Sequence, residues 1–273
     1  MSKYLFYLLF TFTVTVQLPG QALQHKPKQL FLSPAISIGI PTIINPSNYG
    51  YSQPGLDFTF GGQLGIMIGW DYYLKQSFKT GIQLSKWGQH FSGVFTIEGT
   101  ESNTYVLSKK KVNNYYLQIP LSYKQVFGRK RGYDHEVFSP YVFGSVTIGY
   151  LFYSNVSFFR EQEDGSLQEQ SLVDFVTEGN GWNNNEEEII ELGNPEKDKE
   201  LFSPFDINLD AGGGFQFFVT RMTSIFAEAH LTTGILDINA GKWRLRNNRN
   251  VYKSSHNLYV GINLGANLYL YRN

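Results

Sequence analysis

The chain has 273 residues, of which 17% are charged and 16% aromatic, and its 23 basic residues balance its 23 acidic ones. A net charge of zero implies no overall attraction to nucleic acid, and the lack of cysteine excludes a disulfide scaffold and lipid attachment through a cysteine. Low charge combined with 27 glycines, 18 tyrosines and 22 phenylalanines is more typical of a β protein in a membrane than of a soluble enzyme.

The first 22 residues have the pattern of a secretory signal peptide. Lys3 is followed by an uncharged, apolar run from Leu5 to Val16, and residues 20–22 supply the small side chains of a cleavage site. This run of about twelve residues is too short for a transmembrane helix, which needs roughly 20. No later window is long and apolar enough to form one, so a membrane protein with this sequence would have to be a closed barrel. Residues 23–273 are predicted to be a single β domain.

Apolar residues at every second position mark the strands of this domain, because successive side chains of a strand point to opposite faces. The first strand is predicted from about Gln29 to Ile40, the second over Leu64–Tyr72, and the third from Phe78 with an extension towards Ile97. The fourth runs from about Thr104 to Lys124. It contains Pro120, where we expect a local bulge, since proline lacks the donor that a strand ladder uses.

Four more strands complete the pattern. The fifth, residues 140–158, is apolar on both faces, so its orientation is not predicted, whereas the sixth (205–219) and the seventh (224–232) alternate clearly. The last, His256–Arg272, has an unbroken aliphatic face from Leu258 to Leu270 and an opposite face of asparagine, glycine and tyrosine. Eight is an even number, so the antiparallel sheet can close by pairing the last strand with the first.

Residues 159–203 interrupt the alternation and are strongly acidic. The segment contains thirteen Asp and Glu residues, all between Glu161 and Glu200, and three basic residues, so its net charge is −10. Outer-membrane barrels place their long loops outside the cell, so we predict a long acidic extracellular loop here. Calcium binding at residues 163–165 or 186–188 would suit these carboxylates, but the regular spacing of a calcium loop is missing, and solvated charge is favoured.

Two barrels are compatible with these strands: a soluble one with an aliphatic cavity, and a transmembrane one with an aliphatic exterior. A soluble barrel needs many charges on its outer face, whereas the non-aliphatic faces here carry Gly, Asn, Gln and Ser with isolated charges. Small polar residues suit the filled interior of an eight-stranded barrel. Aromatic residues near strand ends also fit an interfacial girdle. These residues are Trp70, Tyr72, Tyr73, Tyr123, Tyr269 and Tyr271. Tyr269 and Tyr271, however, share the inward parity of their strand.

The sequence therefore predicts an all-β protein, an eight-stranded antiparallel transmembrane β-barrel of the outer-membrane type, with a filled lumen and no solute channel. Its inward charges are predicted to form a structural network. The members of this network are Lys79, Lys124, Asp206, Asp210, Glu228 and His230. Glu228 and His230 would be an acid–base pair in a catalytic interpretation, but an ion pair of Glu228 with Lys79 or Lys124 is favoured. No Ser-His-Asp arrangement is specified, and no catalytic residue, cofactor or metal is predicted.

Charged loops at the cell surface are the other candidate sites. The basic loop between Asn239 and Ser255 is predicted to contact the acidic loop, with modest, salt-dependent attraction. The candidate contacts are Glu186, Glu187, Glu188, Lys242, Arg244 and Arg246. Residues 109–111 are three consecutive lysines near the outer end of the fourth strand. They could meet lipopolysaccharide phosphates, although simple exposure to solvent is favoured.

Four short motifs resemble the PorT-like outer-membrane barrels of Bacteroidetes-type bacteria. They are YLQIPL at 116–121, DAGGG at 210–214, FAEAHL at 226–231 and GILDI at 234–238, and the resemblance covers the mature chain apart from the acidic loop. It implies a non-enzymatic protein of the cell outer membrane with a structural or accessory role in an envelope or type IX-like secretion system. The expected partners are outer-membrane lipid and envelope or secretion proteins. The alternatives are a surface binder or adhesin acting through its extracellular loops and, less favoured, a lipid-active enzyme.

Overall fold

The computed structural model describes residues 29–44, 55–73, 75–98, 104–127, 138–161, 167–171, 198–220, 222–240 and 254–270. In these residues it contains ten strands and one 3-10 turn. They are β1 Gln29–Ile44, β2 Gly55–Asp57, β3 Gly61–Tyr73, β4 Gln76–Glu98, β5 Thr104–Val126, β6 Phe138–Glu161, β7 Leu167–Ser171, η1 Asp198–Leu201, β8 Phe205–Phe218, β9 Thr223–Gly234 and β10 His256–Tyr269. Within the described part of the chain, no helix has the length and apolar character needed to cross a membrane.

Eight of these strands form a closed antiparallel barrel in the order β1-β3-β4-β5-β6-β8-β9-β10. The ring closes between the last and first strands, whose ladder runs from Phe31↔Tyr269 to Ile44↔His256. β2 and β7 lie outside the ring and lengthen the sheet beside β4 and β6. The predicted fold class, eight strands with closure of the last on the first, is confirmed.

The exterior of the barrel is a continuous aliphatic belt. Ile38, Leu64, Ile82 and Leu121 are each at least 60% exposed, and their neighbours of the same parity are exposed as well. Exposing this much apolar surface to water would be strongly unfavourable, at about 25 cal/mol for each Å². The aliphatic faces therefore point outward to a lipid phase, as the transmembrane interpretation predicts.

Aromatic side chains border the belt at both ends. At the lower end, where short turns join β3 to β4 and β8 to β9, Trp70 packs on Phe78 at a centroid distance of 5.5 Å and Phe138 stacks on Phe215 at 4.9 Å. At the upper end the exposed aromatic residues are Phe58, Phe60, Tyr150, Phe152, Tyr153 and Phe205. Such girdles mark the two interfaces of a membrane. Tyr269 does not belong to the girdle, because it is buried in the lumen as its parity requires.

β6 changes its parity at a bulge near its upper end. Leu151 is buried, Phe152 and Tyr153 are both exposed, and Ser154 is buried again, while the β5–β6 register shifts between Tyr115 and Tyr116. One extra residue on a strand inverts the faces of everything that follows it. The alternation of residues 140–158 is weak in the sequence because of this inversion and because Tyr141, Phe143 and Leu151, below the bulge, place large side chains on the inward face. Below the bulge the odd-numbered residues face inward.

The predicted bulge at Pro120 is wrong. Pro120 pairs with Thr147 of β6 in an unbroken register, and β5 keeps one register along β4 from Thr80↔Leu121 to Gln83↔Gln118. Within this stretch, only the pairings of Gly81 and Ile82 are interrupted. A backbone N–H in an antiparallel strand points to one neighbour alone, so the missing donor weakens one ladder locally and needs no extra residue.

The upper end of the lumen is closed by a hydrophobic group that we call the mouth cluster. Its members are Ile43, Trp87, Phe91, Val112, Tyr116, Leu151, Val156, Leu201, Phe202, Ile238 and Tyr259. Leu201 and Phe202, in and just after η1, are buried in it, and Phe202 forms a β-bridge with Asn239. Within the segment 159–203, β6 thus continues to Glu161, β7 adds a strand, and η1 returns to the barrel. Residues 162–166 and 172–197 lie outside the described residues.

Candidate functional site

The polar interior of the barrel brings the six predicted lumen residues to inward positions on β4, β5, β8 and β9. Lys79, Lys124, Asp206, Glu228 and His230 are buried, and the side chain of Asp210 is half-buried. Each lies on a non-aliphatic face, where alternation with large outward residues turns it towards the axis. These six side chains occupy three levels along the lumen and have different partners at each level.

Glu228 is the centre of the middle level. Its Oε1 lies 3.4 Å from Lys79 Nζ and accepts a hydrogen bond of 2.8 Å from the Tyr141 hydroxyl, while its Oε2 accepts one of 2.6 Å from Asn263 Nδ2. Lys79 Nζ also lies 5.1 Å from the centroid of the Phe226 ring. A buried carboxylate needs such partners, since an isolated buried charge is very costly.

Lys124 lies at the lower level, with its Nζ donating a 2.9 Å hydrogen bond to Gln216 Oε1. The ammonium group is 4.7 Å from the centroid of the Tyr141 ring, a distance at which the ring face attracts a cation. Gln216 Nε2 in turn donates to Ser224 Oγ at 2.8 Å and to the Tyr269 hydroxyl at 3.0 Å. Side chains from four strands therefore fill the lower lumen with a connected hydrogen-bond network.

His230 belongs to a second group at the middle level. Its Nδ1 is 3.1 Å from Asp210 Oδ1 and its Nε2 is 3.0 Å from Ser37 Oγ. This is the Ser-His-Asp order of a catalytic relay, which the sequence analysis did not predict. The sequence indicates only that Ser37, Asp210 and His230 all have inward parity. Whether they lie at the same height depends on the register of three strands.

This group is enclosed in the barrel. Ser37 is 2% exposed, and its Oγ also lies 2.9 Å from the Tyr259 hydroxyl. The adjoining cavity, lined in part by Asp210, Glu228 and His230, has a volume of about 50 Å³. Substrate pockets are several times larger, roughly 300 Å³ or more. The group is thus a hydrogen-bonded layer of the lumen, with Thr232 Oγ1 as a further donor to Asp210 at 3.0 Å.

Asp206 lies at the upper level, beneath the mouth cluster. Its Oδ2 accepts a 2.8 Å hydrogen bond from Asn257 Nδ2, which also lies 3.3 Å from the Tyr116 hydroxyl. Glu228 and His230, the pair of the catalytic interpretation, have separate partners, Lys79 and Asp210. Among the described residues, no three His, Asp or Glu side chains lie close enough together to hold a metal ion.

The candidate surface contacts belong to the two charged loops and to β5. Residues 186–188 and the basic residues at 242, 244 and 246 lie outside the described residues, as does the candidate calcium segment 163–165. The three lysines at 109–111 all lie in β5, and Lys111 is the one whose side chain the structure describes.

A closed ring of eight strands, apolar outside and filled with polar side chains inside, defines a transmembrane β-barrel. No protein-family model and no curated protein matches the sequence. Among solved structures, the chain is similar to Neisserial surface protein A, with 9% identity over 89% of this chain and 99% of that chain and a TM-score of 0.41. It is also similar to Ail of Yersinia pestis (10% identity, 90% and 100% covered, TM-score 0.32) and to OprG of Pseudomonas aeruginosa (11% identity, 91% and 98% covered, TM-score 0.34). Similarities this low carry no argument about function.

Proposed function

We propose that this protein is exported through its first 22 residues and resides in the cell outer membrane. There it serves, without catalysis, as a structural or accessory component of an envelope or type IX-like secretion system. The observation that carries the proposal is the combination of an aliphatic exterior with a filled lumen. Such a barrel anchors its surface loops and any bound partner protein in the membrane. The resemblance of four motifs to PorT-like barrels supports the secretion role in particular.

The membrane location is supported by the belt and its two girdles. On β3 the exposed outward residues extend from Leu64 to Tyr72, a length close to the roughly 9–11 residues of a tilted transmembrane strand. Outer-membrane fractionation combined with heat-modifiable mobility on a gel tests location and fold together. We expect the protein in the outer-membrane fraction, with a faster band before boiling than after. Recovery in the periplasmic fraction would contradict the proposal.

The absence of catalysis and transport is supported by the way the lumen is filled. The mouth cluster closes the upper end, the Lys124 network fills the lower end, and the cavity between them is small. We expect the purified protein to show no stable open pores in a planar bilayer. Single-channel conductance would contradict a purely structural role.

The second candidate function is that of a surface binder or adhesin. β4, β5 and β6 have 23, 23 and 24 residues, against 14 or fewer for β8, β9 and β10, so they project beyond the upper girdle. The added strands β2 and β7 widen this projection. Such a platform suits a partner protein of the envelope or a ligand outside the cell. Deleting residues 172–197 distinguishes the two candidate functions. Loss of co-purifying envelope proteins favours the accessory role, and loss of surface binding favours the adhesin role.

A further inference from the structure

A small group of basic and aromatic side chains lies on the outer surface of the barrel, where the aliphatic belt ends. We call it the rim patch and define it by Lys86, His90, Lys111, Tyr115 and Tyr153. Lys86 is paired with Tyr115 across β4 and β5, His90 with Lys111, and Tyr115 with Tyr153 across β5 and β6. Directly paired residues of two strands lie about 5 Å apart at their Cβ atoms, so these side chains are neighbours.

The side chains of the rim patch point outward. The residues that alternate with them, Trp87, Phe91, Val112 and Asn114, are buried in the lumen or in the mouth cluster. Neighbours along a strand face opposite sides, which places Lys86, His90 and Lys111 on the outer surface. Their partial exposure agrees with this orientation.

The height of the rim patch is that of a membrane interface. Among the described side chains of β4, Leu84 is the uppermost outward aliphatic one, and Lys86 follows two positions above it. On β5, the outward residue above Leu117 is Tyr115. Its ring lies 5.5 Å from that of Tyr153 and 6.4 Å from that of Phe152. Tyrosines take this position where one end of the ring is apolar and the other meets water.

The charge of the patch comes from its lysines. Burial lowers the pKa of His90, and the positive charges of Lys111 and Lys86 lower that pKa further. Asp57, on β2 opposite His90, is the acidic side chain whose charge acts on this histidine. Lys111 Nζ lies 4.5 Å from the centroid of the Phe159 ring. Among the described side chains of this region, the two lysines outnumber this one carboxylate, and positions 110 and 109 of the sequence of β5 are also lysines.

We propose that the rim patch binds the phosphate headgroup of an anionic lipid in the outer leaflet. Headgroup phosphates lie just outside the hydrocarbon region, which is the level of Lys86, and a lysine ammonium there gains about 1 kcal/mol from an anionic surface. The tyrosine rings pack beside the headgroup and fix its position, while the lysines supply the opposite charge. This inference rests on the proposed membrane location.

The test compares lipids that differ in headgroup charge. The full mature protein is refolded in a neutral maltoside detergent, and its unfolding temperature is followed while phosphatidylglycerol or phosphatidylcholine with the same acyl chains is added. We expect saturable stabilisation by phosphatidylglycerol. Lys86→Gln and Lys111→Gln should each weaken its apparent affinity roughly fivefold, and the double variant roughly 25-fold, because the surface attraction of each lysine is lost.

The matched control is Lys75→Gln, which removes an exposed lysine from the turn at the opposite end of the barrel. It should change the affinity less than twofold. An equal loss with this control, or no preference of the wild type for phosphatidylglycerol, would overturn the inference, as would equal stabilisation by inorganic phosphate alone. Each variant must keep the heat-modifiable band. A wild type that does not fold in any detergent would contradict the membrane location, whereas a folded barrel without lipid preference contradicts the lipid site alone.

Discussion

At the scale of single residues, the lumen depends on how each buried charge is neutralised. Glu228 receives an ion pair and two hydrogen bonds, whereas the contacts of Lys124 include the Gln216 amide oxygen and the faces of the Tyr141 and Phe31 rings. The two arrangements differ because a carboxylate accepts several donors, while an ammonium group can also use an aromatic ring. A change at Glu228 therefore disturbs three partners at once.

Glu228→Gln should destabilise the barrel by about 3–5 kcal/mol, since it leaves Lys79 buried without its counter-charge. Urea unfolding of the protein in lipid vesicles measures this loss. The control is the double variant with Lys79→Met and Glu228→Leu, which removes both charges and should recover most of the stability. A single variant within about 1 kcal/mol of the wild type would show that the pair contributes little to the fold.

At the scale of elements, the upper mouth of the barrel is closed by a segment that is distant from it along the chain. η1 follows the acidic segment, and its buried Leu201 packs with Trp87 of β4 and Ile238 after β9 in the mouth cluster. Phe202 and Ala240 add backbone contacts, with the Ala240 amide donating to the Leu201 carbonyl at 3.0 Å. The turn thus ties two loops to the barrel and seals the lumen from outside.

Leu201→Ala should lower the free energy of unfolding by about 2–5 kcal/mol, because it removes a fully buried side chain and leaves a cavity in the mouth cluster. Lys199→Ala, on the exposed side of the same turn, is the control and should stay within about 0.5 kcal/mol of the wild type. Both are measured by denaturant unfolding. Equal stability of the two variants would mean that η1 does not contribute to closing the barrel.

At the scale of the whole molecule, the barrel has the inverse of a soluble protein's polarity. Along the belt, the aliphatic faces of the strands are outside, and the buried amides, hydroxyls and charges are inside. This arrangement is stable only if a lipid phase covers the exterior, because the aliphatic surface is unfavourable in water. The closed ring can lie in lipid because its strands satisfy their backbone groups within the barrel itself. The stability of outward positions must then depend on their depth in the membrane.

Ile66→Arg, near the middle of the belt, should cost about 2–4 kcal/mol in lipid vesicles, whereas Ile44→Arg at the upper end of β1 should cost about 0–1 kcal/mol. Unfolding in the same vesicles measures both. In a soluble barrel, an exposed isoleucine could be replaced by arginine at almost no cost. Equal and small effects at the two positions would therefore contradict the transmembrane fold.

The sequence by itself determined which face of most strands points inward, because alternation with a period of two is a local property of each strand. The count of eight strands and the pairing of β10 with β1 followed from this alternation and from the need to leave no free edge. Inward positions such as Lys79, Glu228 and Asn263 were therefore identifiable one by one.

Only the tertiary structure decided which inward residues meet, since the height of each strand in a barrel depends on the shear of the whole ring. Ser37, Asp210 and His230 are brought together from β1, β8 and β9 in this way. The bulge at Phe152, the regular pairing at Pro120 and the return of η1 to the mouth were also not encoded in local alternation. The bulge requires an extra residue opposite Tyr115, and the pairing at Pro120 requires that one ladder tolerate a gap. The return of η1 requires an apolar mouth, so each feature depends on a neighbouring strand or a distant segment.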